Sequence, residues 1–262
     1  MRILITNDDG INAEGLQVLH TIAESVAGPE GEVWTVAPAF EQSGVSHATS
    51  HARPTMIAEL GPRRFAAEGS PADCVLAGVH DILKDAPPDL VLSGVNRGNN
   101  SAENAAYSGT LGAAMEAALQ GFPAIALSQF LGPRNFNEPN QFEAAAQHGT
   151  AIVQALLGKG IWDARDGYRM FYNVNFPPVP GADVLGMRVT AQGYRKDGAH
   201  TVIPYTAPNR RRFMWISSSP QQIETAPGTD ARANIDGHIS VTPMRADFTA
   251  HEVLQSLSDR LE

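Results

Sequence analysis

Short apolar runs separated by stretches of helical spacing constrain this chain more than any other feature. Ile3-Leu4-Ile5-Thr6, Val33-Trp34-Thr35-Val36-Ala37, Asp89-Leu90-Val91-Leu92-Ser93-Gly94 and Ala124-Ile125-Ala126-Leu127-Ser128 are nearly continuous in apolar character. That is the mark of strands covered on both faces. Met170-Phe171-Tyr172-Asn173-Val174-Asn175 reads as a further strand before Pro177-Pro178. Between these runs, Leu16, Leu19, Ile22, Ala23 and Val26 recur at helical spacing. Leu111, Ala114, Met115, Ala118 and Leu119 do the same, and residues 142–157 make another helix. Ser70-Pro71-Ala72-Asp73 is an N-cap followed by proline at the first helical position. Strand–helix alternation of this kind predicts an α/β fold, a doubly wound, mostly parallel sheet of Rossmann-like form.

The alternation stops near Gly193. Beyond it, Arg212-Phe213-Met214-Trp215-Ile216 and His238-Ile239-Ser240-Val241-Thr242 read as strands separated by polar stretches. A terminal amphipathic helix carries Val253, Leu254, Leu257 and Leu261. The chain therefore divides into a core, 1–192, and a C-terminal β-hairpin and helix arm, 193–262. An isolated hairpin is not stable in water and must pair with something. A second subunit is the expected partner, by exchange of an identical element; the other solution folds the arm back on its own sheet.

Composition narrows the functional classes. A net charge of −9 disfavours a protein built to grip a nucleic-acid backbone, and a small anionic substrate needs a local capture device. No apolar run approaches the roughly 18 residues of a membrane span. The single cysteine, Cys74, rules out an internal disulfide, fits a reducing compartment and reads as a small core residue. Cytoplasmic location is the expectation.

Chemistry gathers at the strand ends. Asn7-Asp8-Asp9-Gly10 follows the first strand, where open α/β sheets bind ligands. Adjacent carboxylates either turn the chain and cap the next helix, or hold a hard cation such as Mg²⁺, Mn²⁺ or Ca²⁺. Ser43 lies in a long polar loop after the second strand, and Asn96 follows Leu92-Ser93-Gly94. Each alone reads equally as a loop or turn residue. Together with Asp8 and Asp9 they would form an oxygen shell with open water positions, able to polarise a phosphoryl oxygen. Asn100 and Tyr107-Ser108-Gly109-Thr110 stand where the following helix begins. Free N–H groups and small hydroxyl residues there suit an anion, although Ser108 also reads as an ordinary N-cap.

These segments, in order over nearly the whole chain, resemble the SurE (stationary-phase survival protein) family of nucleoside monophosphate phosphatases. The resemblance is carried by Ile5-Thr6-Asn7-Asp8-Asp9-Gly10, Ala37-Pro38 with Gln42-Ser43-Gly44, Gly69-Ser70-Pro71-Ala72-Asp73-Cys74 and Ser93-Gly94-Val95-Asn96-Arg97-Gly98. Tyr107-Ser108-Gly109-Thr110 and Gly237-His238-Ile239-Ser240-Val241-Thr242-Pro243 complete it. It implies one divalent metal cation per subunit (Mg²⁺ or Mn²⁺) on Asp8, Asp9, Ser43 and Asn96. It implies catalysis by Asp8, Asp9 and Asn96, with phosphate held by Asn100, Ser108, Gly109 and Thr110. It further implies hydrolysis of 5′- and 3′-nucleotides, and dimers or tetramers that exchange the C-terminal arm. Two departures stand out: Asn100-Ser101-Ala102 replaces an Asn-x-Gly step, and Ser70 replaces the usual Thr.

Two other readings compete. A response-regulator receiver also places paired acids after its first strand. It needs a phospho-acceptor Asp and a Lys at later strand ends, where this chain has Asn96 and Ser128-Gln129. A non-catalytic nucleotide-binding module would share most of the site, and turnover separates the two.

Overall fold

The computed structural model describes residues 1–262 except 166, 197, 199 and 262. In chain order the core opens with β1 (Arg2–Thr6), α1 (Glu14–Ala27), β2 (Glu32–Pro38), β3 (Ile57–Gly61), β4 (Arg64–Ala67) and α2 (Pro71–Ala77). It continues with β5 (Leu90–Arg97), α3 (Gly109–Leu119), β6 (Ala124–Gln129) and α4 (Glu143–Lys159). Two short strands, β7 (Ala164–Arg165) and β8 (Tyr168–Arg169), precede β9 (Phe171–Phe176) and β10 (Met187–Val189). Last come β11 (Thr201–Thr206), β12 (Arg212–Ser217), α5 (Asp230–Ile235), β13 (Ile239–Met244) and α6 (Leu254–Leu261).

Nine strands form one sheet in the order β10-β13-β9-β6-β5-β1-β2-β4-β3. Pairing is parallel from β4 through β2, β1, β5 and β6 to β9. The β3–β4 and β9–β13 pairs are antiparallel. Side chains alternate across the pleat, so each continuous apolar run feeds two cores. Ile3, Ile5, Leu92, Ile125 and Leu127 pack with Leu16, Leu19, Ile22 and Val153 of α1 and α4. Leu4, Val91 and Ala126 pack on the other face with Val75 of α2 and with Leu111 and Ala114 of α3. Cys74 is buried in this second core, and burial pushes its thiol far above the usual range. It is a packing residue, as the sequence reads. The Ser70 cap closes fully: its hydroxyl accepts from Asp73 N–H while the Asp73 carboxylate accepts from Ser70 N–H.

Several details depart from the sequence reading. The β3–β4 hairpin carries no strong strand pattern and was not expected. The expected strand at 89–94 runs on to Arg97, with a register shift between Ser93 and Asn96 that pairs Asn96 with Ser128. Gly94 permits this: its φ is +132°, and a Cβ there would lie 2.1 Å from the Leu127 carbonyl oxygen.

The stretch read as an arm separates into two parts. Ile239–Met244 lies inside the main sheet between β9 and β10, so this strand folds back on its own subunit. Only the β11–β12 hairpin stands off as a separate two-stranded sheet. Its Phe213, Met214, Trp215 and Ile216 are exposed, Trp215 to 70%, as are Val253, Leu254, Leu257 and Leu261 at the terminal helix. No helix among the described residues is long and apolar enough to cross a membrane.

Candidate active site

The chain leaves β1 toward β2 on one side and later returns through β5 on the other, so the sheet order reverses between β1 and β5. Such a switch point opens a crevice at the carboxyl ends of the strands. Asp8 and Asp9 sit just beyond β1, and Asn96 and Arg97 end β5. A cleft of about 470 Å³ lies here, with Asp8, Ser43, Asn96, Asn100 and Ser108 in its wall. These five sequence-predicted residues line it together, whereas Asp9, Gly109 and Thr110 lie outside its wall.

Asp8 is buried, 4% exposed, and does not cap the helix that follows it. It binds the start of α3, 102 residues downstream: Thr110 N–H donates to Oδ2 at 3.1 Å and the Thr110 hydroxyl to Oδ1 at 2.7 Å. Gly109 allows the approach, because a Cβ there would lie 3.0 Å from the Asp8 Cβ. Burial first, then the charge of Asp9, pushes the Asp8 carboxyl up to about 6, while the Thr110 bonds pull it down. Asp9 accepts from Arg97 N–H at 3.0 Å. Its carboxyl is also raised, by burial and by Glu41, against the lowering pull of Arg97.

Thr110 therefore holds Asp8, whose carboxylate accepts from both its N–H and its hydroxyl. The Ser108 hydroxyl caps α3 by accepting from Leu111 N–H at 3.0 Å and keeps its own proton to donate. Asn96 donates its amide to the Gly98 carbonyl at 3.0 Å, so Oδ1 is the atom it could offer to a cation. The exposed Ser43 hydroxyl donates to Glu41 at 2.8 Å. Asn100 is tied into a buried polar floor: its N–H donates to Asn175, its amide to Ser128, and its carbonyl accepts from Asn173.

The loop bearing Ser43 is anchored by Asp73, whose carboxylate accepts from Ser50 N–H at 2.9 Å and the Ser50 hydroxyl at 2.7 Å. Burial would raise the Asp73 carboxyl, but the bonds from Ser50 and Ser70 outweigh it and hold it below the usual range. His238 does not line the cleft.

Sequence reasoning missed two arginines. Arg97 lines the cleft and brings a positive charge to it in an acidic protein. Arg195 is fully buried and pins the Asn99–Glu103 loop. It donates to Asn99 Oδ1, the Ser101 hydroxyl and carbonyl, Glu103 and the Gln221 carbonyl. Only its place between two polar stretches could have drawn notice. In the same loop Ala102, where the family resemblance expects Gly, holds φ +54°.

A profile of the family described as "Survival protein SurE" matches residues 3–199. The chain belongs to the SurE family. It is 66% identical over 258 residues, 98% of each chain, to a Roseobacter denitrificans protein named 5′-nucleotidase SurE. A Jannaschia protein of the same name is 64% identical over 264 residues and 100% of both chains. The crystal structure of the SurE protein from Aquifex aeolicus superposes with a TM-score of 0.81 at 34% identity, covering 100% of both chains.

A divalent cation fits the SurE-type donor set here. Among the described residues no group of three or more His, Cys, Asp or Glu side chains is arranged to hold a metal. The donors would be two carboxylates, an amide oxygen and a hydroxyl, a hard set that suits Mg²⁺ or Mn²⁺. Burial and mutual repulsion penalise the charged form of Asp8, and a cation on that carboxylate relieves both effects.

Proposed function

We propose that this chain is a divalent-metal-dependent phosphatase that converts nucleoside 5′-monophosphates, and 3′-monophosphates, to nucleoside and inorganic phosphate. One observation carries the reading: the buried carboxylate of Asp8, with half-buried Asp9 adjacent to it, lines the switch-point crevice of a chain closely similar to proteins named 5′-nucleotidase. Asp8, Asp9, Ser43 and Asn96 would hold one Mg²⁺ or Mn²⁺. The bound cation supplies Lewis-acid polarisation of the phosphoryl oxygens and activation of water.

The protein's own groups do the positioning. Thr110 fixes the Asp8 carboxylate, and the Arg97 N–H fixes Asp9. Arg97, whose Nε donates to Gln141 at 3.1 Å, and Ser108 line the cleft that an anion would enter, and Gly109 lets its backbone approach. Asn100 shapes the floor rather than the rim. Self-association into a dimer or tetramer through the exposed hairpin and terminal helix accompanies this reading, supported by their uncovered apolar side chains. A cytoplasmic location suits the single buried thiol.

Phosphate release from a panel of 5′- and 3′-nucleotides, with Mg²⁺, Mn²⁺ or a chelator, tests the proposal. Metal-dependent release from nucleoside monophosphates is expected. Tight nucleotide binding without release under any metal would favour a binding module instead.

A further inference from the structure

The cleft that holds the carboxylates at one end has a different lining at the other. Tyr107, His200 and Ile216 complete its wall, with Asn104 beside them. The Tyr107 and His200 rings meet edge to face, centroids 4.7 Å apart at an interplanar angle of 65°. Tyr107 is 43% exposed and lines the cleft. A phosphoryl group needs no aromatic wall, and an aromatic wall offers nothing to phosphate or metal. Every nucleobase has a π-face, and stacking on an aromatic side chain is a sequence-tolerant way to hold one.

A second observation points the same way. Among the described residues, Asn104 Oδ1 and His200 Nδ1 are buried without a hydrogen-bond partner. Buried polar atoms in folded proteins are almost always satisfied, and an unsatisfied one is costly unless a ligand supplies the partner. Both belong to residues in the wall of this cleft, on the aromatic side. A nucleoside carries the matching groups, ribose hydroxyls and base-edge donors and acceptors.

We propose that this end of the cleft is a nucleoside seat, in which the Tyr107 ring, backed by His200 and flanked by Ile216, stacks on the base of a bound nucleotide. The seat rests on the phosphatase reading above and adds to it the origin of discrimination. The carboxylate end accepts any small phosphate monoester, and the Tyr107 corner selects those that bear a base. Its parts come from three places: the turn before α3, the segment before β11, and β12 of the hairpin. The hairpin therefore serves selectivity as well as assembly.

The test compares kcat/KM for adenosine 5′-monophosphate with that for ribose 5-phosphate, which has the same phosphoryl group and no base. Wild-type protein should prefer the nucleotide. Tyr107→Leu and His200→Ala should each lower the nucleotide-to-sugar ratio, about ten-fold for Tyr107→Leu, mainly through KM for the nucleotide. Tyr107→Phe, which keeps the π-face, should restore the ratio. A ratio unmoved by Tyr107→Leu, or equal losses on both substrates, would overturn the seat while leaving the phosphatase reading intact. A wild-type protein that hydrolyses neither substrate with Mg²⁺ or Mn²⁺ would overturn that reading, and the seat with it.

Discussion

Replacing Arg195 by Met tests how the floor of the cleft is held. The guanidinium is wholly buried, and its donors reach Asn99 Oδ1 and the Ser101 hydroxyl at 2.8 Å, Glu103 at 3.0 Å, the Ser101 carbonyl at 3.1 Å and the Gln221 carbonyl at 3.2 Å. Met has nearly the same length and no donor, so it fills the space and leaves these acceptors facing an apolar chain. Glu103 keeps the Arg195 backbone N–H, at 3.1 Å, and its own backbone N–H. Breaking one side of a buried ion pair costs about 3–5 kcal/mol. Folded domains are stable by only about 5–15 kcal/mol, so this is a large share. In urea unfolding, with a slope of about 2–3 kcal/mol/M, the midpoint should fall by about 1–2 M. Arg195→Met with Glu103→Leu should recover part of the loss, because the stranded carboxylate is then gone. Turnover should fall about 10- to 100-fold in Arg195→Met, since the loop it pins supplies Asn99, Asn100 and Asn104 to the cleft. A midpoint within about 0.3 M of wild type would refute the claim that this residue holds the loop.

Asp8→Asn and Asp9→Asn should each weaken metal binding at least about 100-fold by calorimetry and abolish most turnover. The metal-free protein should melt at an unchanged or higher temperature in Asp8→Asn, because burial penalises the charge that is removed; normal metal affinity in both variants would defeat the ligand assignment. Ala102→Gly should raise the melting temperature by about 1–4 °C, since relief of the left-handed conformation, about 1–2 kcal/mol, exceeds the added flexibility of glycine, about 0.5–1 kcal/mol. A drop would show that φ +54° is not strained there. The Asp73 carboxyl lies below its unfolded value, so its stabilisation is full above the ordinary carboxylate range and lost as pH falls through the folded value. The melting-temperature gap between wild type and Asp73→Asn should therefore be widest near neutral pH and close as pH falls below the ordinary carboxylate range; a pH-independent gap would count against the Ser50 and Ser70 bonds. Replacing residues 201–217 by a short Gly-Ser linker should leave the main sheet folded and reduce the assembly size in sedimentation, whereas an unchanged assembly would place the contact elsewhere. Truncation before Ala233 is the poorer test of assembly, because it strips β13 from between β9 and β10.

The sequence alone determined the α/β class, the order of the central strands and their helices, and the gathering of Asp8, Ser43 and Asn96 at one edge. Those properties are local or follow from rule. A strand buried on both faces shows as an apolar run, a helix shows as a period, and parallel strands deliver their ends to a common side. Motif order along the chain carried the family. Tertiary structure alone decided what each polar group touches. Nothing near Asp8 in the chain says that its partner is Thr110, nor does Arg195 announce that it reaches Asn99, Ser101, Glu103 and Gln221. The last sheet strand was legible as a strand, yet not as a member of the core, because pairing with β9 depends on a partner more than sixty residues earlier. The bend at Gly94 and the left-handed turn at Ala102 are likewise set by neighbours across the sheet and loop. Periodicity records how much of a residue is covered, and only the folded chain fixes by what.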